Sequence, residues 1–123
     1  MVFDPLDFLK LAEKLSNESD EASLRTSISR AYYSMLLFAR EEVIKKYPSL
    51  TFKRAGSHQT IINSLKELNF YNIADKLNGL RLMRVNADYC LDINVDSNLS
   101  NRALQLAKNI YELIQLNMKG DTK

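Results

Sequence analysis

Ser29-Arg30-Ala31-Tyr32-Tyr33-Ser34-Met35 lies at the centre of the stretch whose pattern decides the fold. Around it, Leu24, Ile28, Ala31, Tyr32, Met35, Phe38 and Ala39 recur at steps of three and four, the spacing that lines one face of an α-helix. This predicts a long helix over residues 20–46, stopped by Pro48, which lacks the N–H that a continuing helix needs. A second set, Tyr33, Leu37 and Ile44, falls on the opposite side of the same helix with Arg40. A helix that is apolar on two faces is expected to be buried on both. In so short a chain, a second copy of the protein is the simplest cover, so a homodimer is expected.

Working outward, Asp4-Pro5 opens a first helix: Asp caps well, and Pro is tolerated at the first helical position. Its stripe is Phe8, Leu11, Ala12 and Leu15, broken at residues 17–20. Downstream of Pro48 a basic loop carries Lys53 and Arg54. Ser57 then caps a third helix, over residues 57–69, with Ile61, Leu65 and Leu68 on one face. A fourth helix, over 71–89, turns Ile73, Ala74, Leu77 and Leu80 inward. Residues 92–98 are turn-like, and Asp96 or Ser97 caps the last helix. That helix has a core stripe of Leu99, Ala103, Leu106, Ala107, Ile110, Leu113 and Ile114, flanked by Leu104, Tyr111 and Met118. The tail from about residue 119 is expected to fray. No segment alternates with period two. The expectation is one domain over residues 1–123: an all-α, antiparallel four-helix bundle, with or without a short extra helix.

Composition narrows the function classes. The chain has 123 residues, enough for a single core. Three Gly and two Pro are too few for a turn-rich β protein. A single cysteine, Cys90, excludes an internal disulfide and a multi-cysteine metal site, and suits a reducing cytoplasm. No basic stretch precedes an apolar run at the N-terminus, and no apolar run is long enough to span a bilayer, so neither a leader nor a membrane is expected. The formal charge of +2 neither demands nor excludes nucleic acid. No metal-ligand spacing, phosphate-binding glycine loop or carboxylate pair stands out, and no cofactor is expected.

Three groups of polar residues interrupt the apolar pattern. Arg81, Arg84 and Asp88 continue the inward face of the fourth helix. Buried cations cost several kcal/mol unless they are paired or wet. Arg84 and Asp88 are four apart and can pair, and Arg30 on the long helix could meet Asp88 or Tyr89. The alternatives are an ion-pair network that fixes helix register and a cationic cleft for phosphate; a guanidinium fork serves either. His58, the only histidine, opens the third helix, where the positive end of the dipole favours neutral imidazole. Neutral imidazole is the state a general base requires, although packing or capping is the commoner role of a lone histidine. Tyr32, Tyr33 and Tyr89 are either core-edge phenols or platforms on which bases stack.

Three segments in this order, Ser29-Arg30-Ala31-Tyr32-Tyr33 with Met35 and Phe38, then Gly56-Ser57-His58, then Leu80-Arg81 with Arg84 and Ala87-Asp88-Tyr89, resemble the second, third and fourth helices of the HEPN family. The resemblance covers the chain from about Asp4 to Met118. It implies a homodimeric four-helix bundle, and small members are often paired with a minimal nucleotidyltransferase in toxin–antitoxin systems. Active members are metal-independent endoribonucleases that carry an Arg and a His four to six residues apart. The resemblance thus implies that His58 takes a proton from a ribose 2′-hydroxyl and that Arg54 holds the scissile phosphate. Here only three residues separate Arg54 from His58, and the late positions carry Arg81, Arg84 and Asn86 without a histidine. Two functions are therefore expected as alternatives. One is an RNA- or nucleotide-directed protein using His58 and Arg54, with Arg30, Arg81, Arg84 and Lys53 as phosphate contacts. The other is a non-catalytic dimeric module that docks a nucleotidyltransferase-like partner, with Asp88, Tyr89 and Tyr32 as a structural network.

Overall fold

The computed structural model describes residues 3–48 and 58–119. Five α-helices run in the order α1 (Leu6–Ser16), α2 (Glu21–Lys46), α3 (His58–Glu67), α4 (Tyr71–Tyr89) and α5 (Ser97–Ile114). The last continues into a π-helical turn, Gln115–Lys119. Among the described residues there is no strand. Helices are therefore where the apolar spacing places them, and α1 and α3 are the short ones.

The caps explain the boundaries. The Asp4 carboxylate accepts from the N–H of Leu6 at 3.0 Å. Asp20 accepts from the N–H of Ser23 at 3.0 Å and from its hydroxyl at 2.8 Å, and Asp96, not Ser97, accepts from the N–H of Leu99 at 3.0 Å. Each satisfies a donor that the first turn leaves without an intrahelical partner. At the far end of α3, Asn69 takes a positive φ of 67°. The N–H of Phe70 then reaches the carbonyl of Leu65 at 2.8 Å, and that of Asn69 reaches Lys66 at 3.0 Å. This paired closure lets the chain reverse into α4 within three residues. Ser57, the expected cap of α3, lies outside the described residues.

Helix α2 is the hub and packs against α1, α3, α4 and α5. The expected stripe from Leu24 to Ala39 is buried throughout. Small residues let its neighbours approach closely. The Ser27 hydroxyl donates to the carbonyl of Ala12 at 2.7 Å and accepts from the Ser100 hydroxyl at 3.1 Å, which ties α1, α2 and α5 together. Two details depart from expectation. Leu11 is 40% exposed, because α1 buries Ala12 and Ser16 against its neighbours and turns Leu11 outward. Val95, in the connection between α4 and α5, is buried although no helical pattern includes it.

That connection is held by Arg25, a residue with no part in the apolar pattern. Its guanidinium donates to the carbonyls of Ala87 at 2.9 Å, Cys90 at 3.0 Å and Ile93 at 2.7 Å. Its Nε donates to Glu21 at 3.0 Å, and Glu21 in turn accepts from the N–H of Val95 at 3.1 Å. One side chain of α2 thus satisfies the end of α4 and the turn that follows it. At the C-terminal end, Lys46 Nζ donates to the carbonyl of Met118 at 2.7 Å and anchors the π-turn.

Candidate functional site

His58, the first residue of α3, faces Tyr32 of α2 and Asn78 of α4. Its Nδ1 lies 2.8 Å from the Tyr32 hydroxyl and its Nε2 lies 3.1 Å from Asn78 Oδ1. One tautomer of neutral imidazole satisfies both contacts: Nδ1 accepts from the phenol, and Nε2–H donates to the amide oxygen. Burial pushes the His58 pKa below its ordinary value; the Asn78 bond opposes this, and the charges of Arg81 and Arg84 add to the lowering. Burial likewise pushes the Tyr32 phenol up to about 12, with the Arg84 charge opposing. Tyr32 therefore stays a donor and His58 stays neutral.

Arg84 is enclosed. It donates to the Tyr33 hydroxyl, its Nε lies 3.4 Å from Asp88 Oδ2, and its guanidinium carbon lies 5.6, 5.2 and 5.9 Å from the ring centres of Tyr32, Tyr33 and Tyr89. The Tyr33 hydroxyl is the largest influence holding its pKa above the ordinary arginine value; burial opposes this, and the charges of Tyr33, Asp88 and Tyr89 add to the rise. Asp88 also accepts from the Ser29 hydroxyl at 3.4 Å. Of the ion pairs that this face could form, Arg84–Asp88 is present, and Arg30 takes no part in it. Its guanidinium carbon sits 5.0 Å from the Phe8 ring and 5.1 Å from the Tyr33 ring, turned toward α1.

Arg81 is different. It lies one turn before Arg84, is half-buried, and has no ion-pair partner among the described residues. Its charge acts on both His58 and Tyr32. The structure therefore brings together His58, Tyr32, Asn78, Arg81 and Arg84, with Tyr33, Asp88 and the exposed Tyr89 alongside. Lys53 and Arg54 lie outside the described residues. Asn78 was missed by sequence reading. It stands three residues before Arg81, so carrying the face Arg81–Arg84–Asp88 back by one turn finds it. Among the described residues no group of three or more His, Cys, Asp or Glu could hold a metal ion, and no helix is long and apolar enough to cross a membrane.

The arrangement offers an anion one half-buried guanidinium free of an ion pair, a neutral imidazole and an exposed phenol ring. It does not offer His58 as a ready base, because its one lone pair is already taken by Tyr32. A proton can be accepted only if that bond opens or passes it on. The depressed pKa also carries a stability consequence. The unfolded chain binds the His58 proton more readily than the folded chain does, so the stability due to neutral His58 is present above the ordinary value of 6.5 and is lost as pH falls through it toward the lower folded value. Urea midpoints across this range should fall with acidification in the wild type, and His58→Gln should flatten that slope. Equal slopes would mean that His58 titrates as it does when unfolded.

No family model matches the chain, and no solved structure matches it. It is 32% identical to an uncharacterized protein of the archaeon Methanocaldococcus jannaschii, MJ0628, over 149 aligned positions that span 99% of this chain and 89% of the relative. The chain belongs to the family of that protein.

Proposed function

We propose that the protein is a HEPN-like four-helix-bundle homodimer of a cytoplasmic toxin–antitoxin or nucleotide-related system, and that it binds RNA or nucleotide phosphate at the cluster of His58, Arg81 and Arg84. The observation that carries this reading is Arg81: a half-buried guanidinium without an ion pair among the described residues, set beside a neutral histidine. A guanidinium with no counter-charge keeps its donor fork free, and an arriving phosphate can take it in a bidentate contact. Tyr89, 70% exposed beside the same cluster, offers a face for a base. In a catalytic version, His58 would accept the 2′-hydroxyl proton after release from Tyr32, and Arg81 would steady the phosphate.

A second reading is favoured by a specific observation. Both nitrogens of His58 are engaged within the chain, which suits a non-catalytic module that docks a nucleotidyltransferase-like partner. The test is incubation of the purified protein with total RNA in EDTA, with binding to a labelled oligoribonucleotide measured in parallel. Arg81→Ala should weaken binding about tenfold or more, the loss of one charge-assisted contact, while leaving the thermal midpoint unchanged. Cleavage that persists in EDTA and disappears in His58→Ala supports a ribonuclease. Binding without cleavage supports a non-catalytic phosphate site, and the absence of both binding and cleavage favours the docking module. An Arg81→Ala variant that binds like wild type would sink the phosphate site.

A further inference from the structure

Away from this cluster, two depressions share one wall at Val95. The first is an apolar cavity of about 90 Å³, lined by Ile28, Met83, Asn86, Ile93, Val95 and Leu99 among others. The second is a wider polar cleft of about 590 Å³ between the α1–α2 turn and the α4–α5 connection, with Glu18, Glu21 and Asp96 on its walls. Leu91, 84% exposed, stands next to them on the same connection. With Ile93, 39% exposed on the lip of the apolar cavity, it places two exposed apolar side chains beside a preformed hole.

Charge identifies the occupant. The cleft is lined by Glu18, Glu21 and Asp96 and by no cation, and Asp92 is exposed on the same connection, in a chain whose formal charge is +2. Glu18 contributes to it from the α1–α2 turn, while Glu21 is paired with Arg25. The neighbouring cation, Arg25, is turned inward and spent on three carbonyls and Glu21. The face is therefore acidic around an apolar hole and would repel nucleic acid. Because Arg25 fixes the carbonyls of Ala87, Cys90 and Ile93, the groove is held in shape before anything binds, which lowers the ordering cost of binding.

We propose that this groove docks a basic segment of a partner protein. An aliphatic or aromatic side chain would fill the cavity on one side of Val95, and a Lys or Arg would lie in the acidic cleft on the other. The inference is independent of the phosphate site.

The test is selection from a random-peptide phage library on the immobilised full chain. The selected peptide is then synthesised and its affinity measured for wild type and for Glu18→Lys, Asp92→Lys and Arg81→Ala. Glu18 and Asp92 are exposed, so these variants should fold, and circular dichroism confirms it. The expected consensus pairs an apolar residue with a Lys or Arg. Affinity should fall about tenfold in Glu18→Lys and in Asp92→Lys, fall with added salt, and stay unchanged in Arg81→Ala. No enrichment over a bare surface, a consensus without a cation, or equal binding to the charge variants overturns the proposal. So does a Leu91→Asp variant that turns a dimer into a monomer in light scattering, since a second copy would then be the occupant.

Discussion

Arg25→Ala is expected to destabilise the fold by about 3 kcal/mol, because each charge-assisted hydrogen bond to a carbonyl is worth about 1.5–3 kcal/mol and the three are not additive. The carbonyls of Ala87, Cys90 and Ile93 lose their donor together, and Glu21 loses the cation that helps keep its carboxyl ionised. For a chain of this length, that corresponds to a fall of about 10 °C in the thermal midpoint. Arg25→Lys should recover little, since an ammonium cannot span three divergent carbonyls as a planar fork does. Paired urea and thermal unfolding would check this; a loss below about 1 kcal/mol would mean that water replaces the guanidinium at little cost.

The second large effect is at Arg84. Arg84→Ala removes the bond to Tyr33, the ion pair with Asp88, and a cation seated among three phenol rings. Cation–π contacts are worth about 0.5–1 kcal/mol each at partly exposed sites, so a total near 2–3 kcal/mol is expected. Asp88→Ala should cost only about 1 kcal/mol. From sequence alone it would be expected to leave a buried arginine stranded and to cost several times more. In the structure, the Asp88 side chain is 30% exposed and Arg84 keeps Tyr33 and the rings. Arg81→Ala, with no ion pair to break, should change stability by less than about 0.5 kcal/mol. Chemical denaturation of the three variants ranks them directly. If Arg81 and Arg84 proved equally important for folding, the division between a ligand arginine and a structural one would fail.

These cases show what a sequence can carry. The α2 stripe, the reach of α4 and a cap at Asp96 or its neighbour Ser97 were legible, because helical periodicity and capping chemistry are local. The pairing of Arg84 with Asp88 was legible for the same reason: four residues on a helix is one turn. Arg25 was not, because its partners are backbone carbonyls 62, 65 and 68 residues away, and a carbonyl has no residue type to read. Arg30 was placed on the correct helix but toward the wrong neighbour. Its position beside the core stripe fits either α1 or α4, and only the packing of Phe8 decides between them. The meeting of His58 with Tyr32 and Asn78 spans three helices, so no spacing within one helix could reveal it.

The hub position of α2 also orders the events by which the protein opens. An amide exchanges with solvent when its own segment comes loose, and it is most protected where that requires the whole structure to separate. Helix α3 rests mainly on α4 and α2, and α1 mainly on α2, so either can detach while the remainder stays assembled. The middle of α2, from Ser27 to Ala39, cannot be exposed without parting from several neighbours at once. Its amides should be the last to take up deuterium, at a rate that reports global unfolding, while those of α1 and α3 exchange through smaller openings. The same helix that carries Tyr32 and Tyr33 to the candidate site would then be the slowest-breathing part of the molecule, leaving α3 and its His58 as the wall of that site free to move.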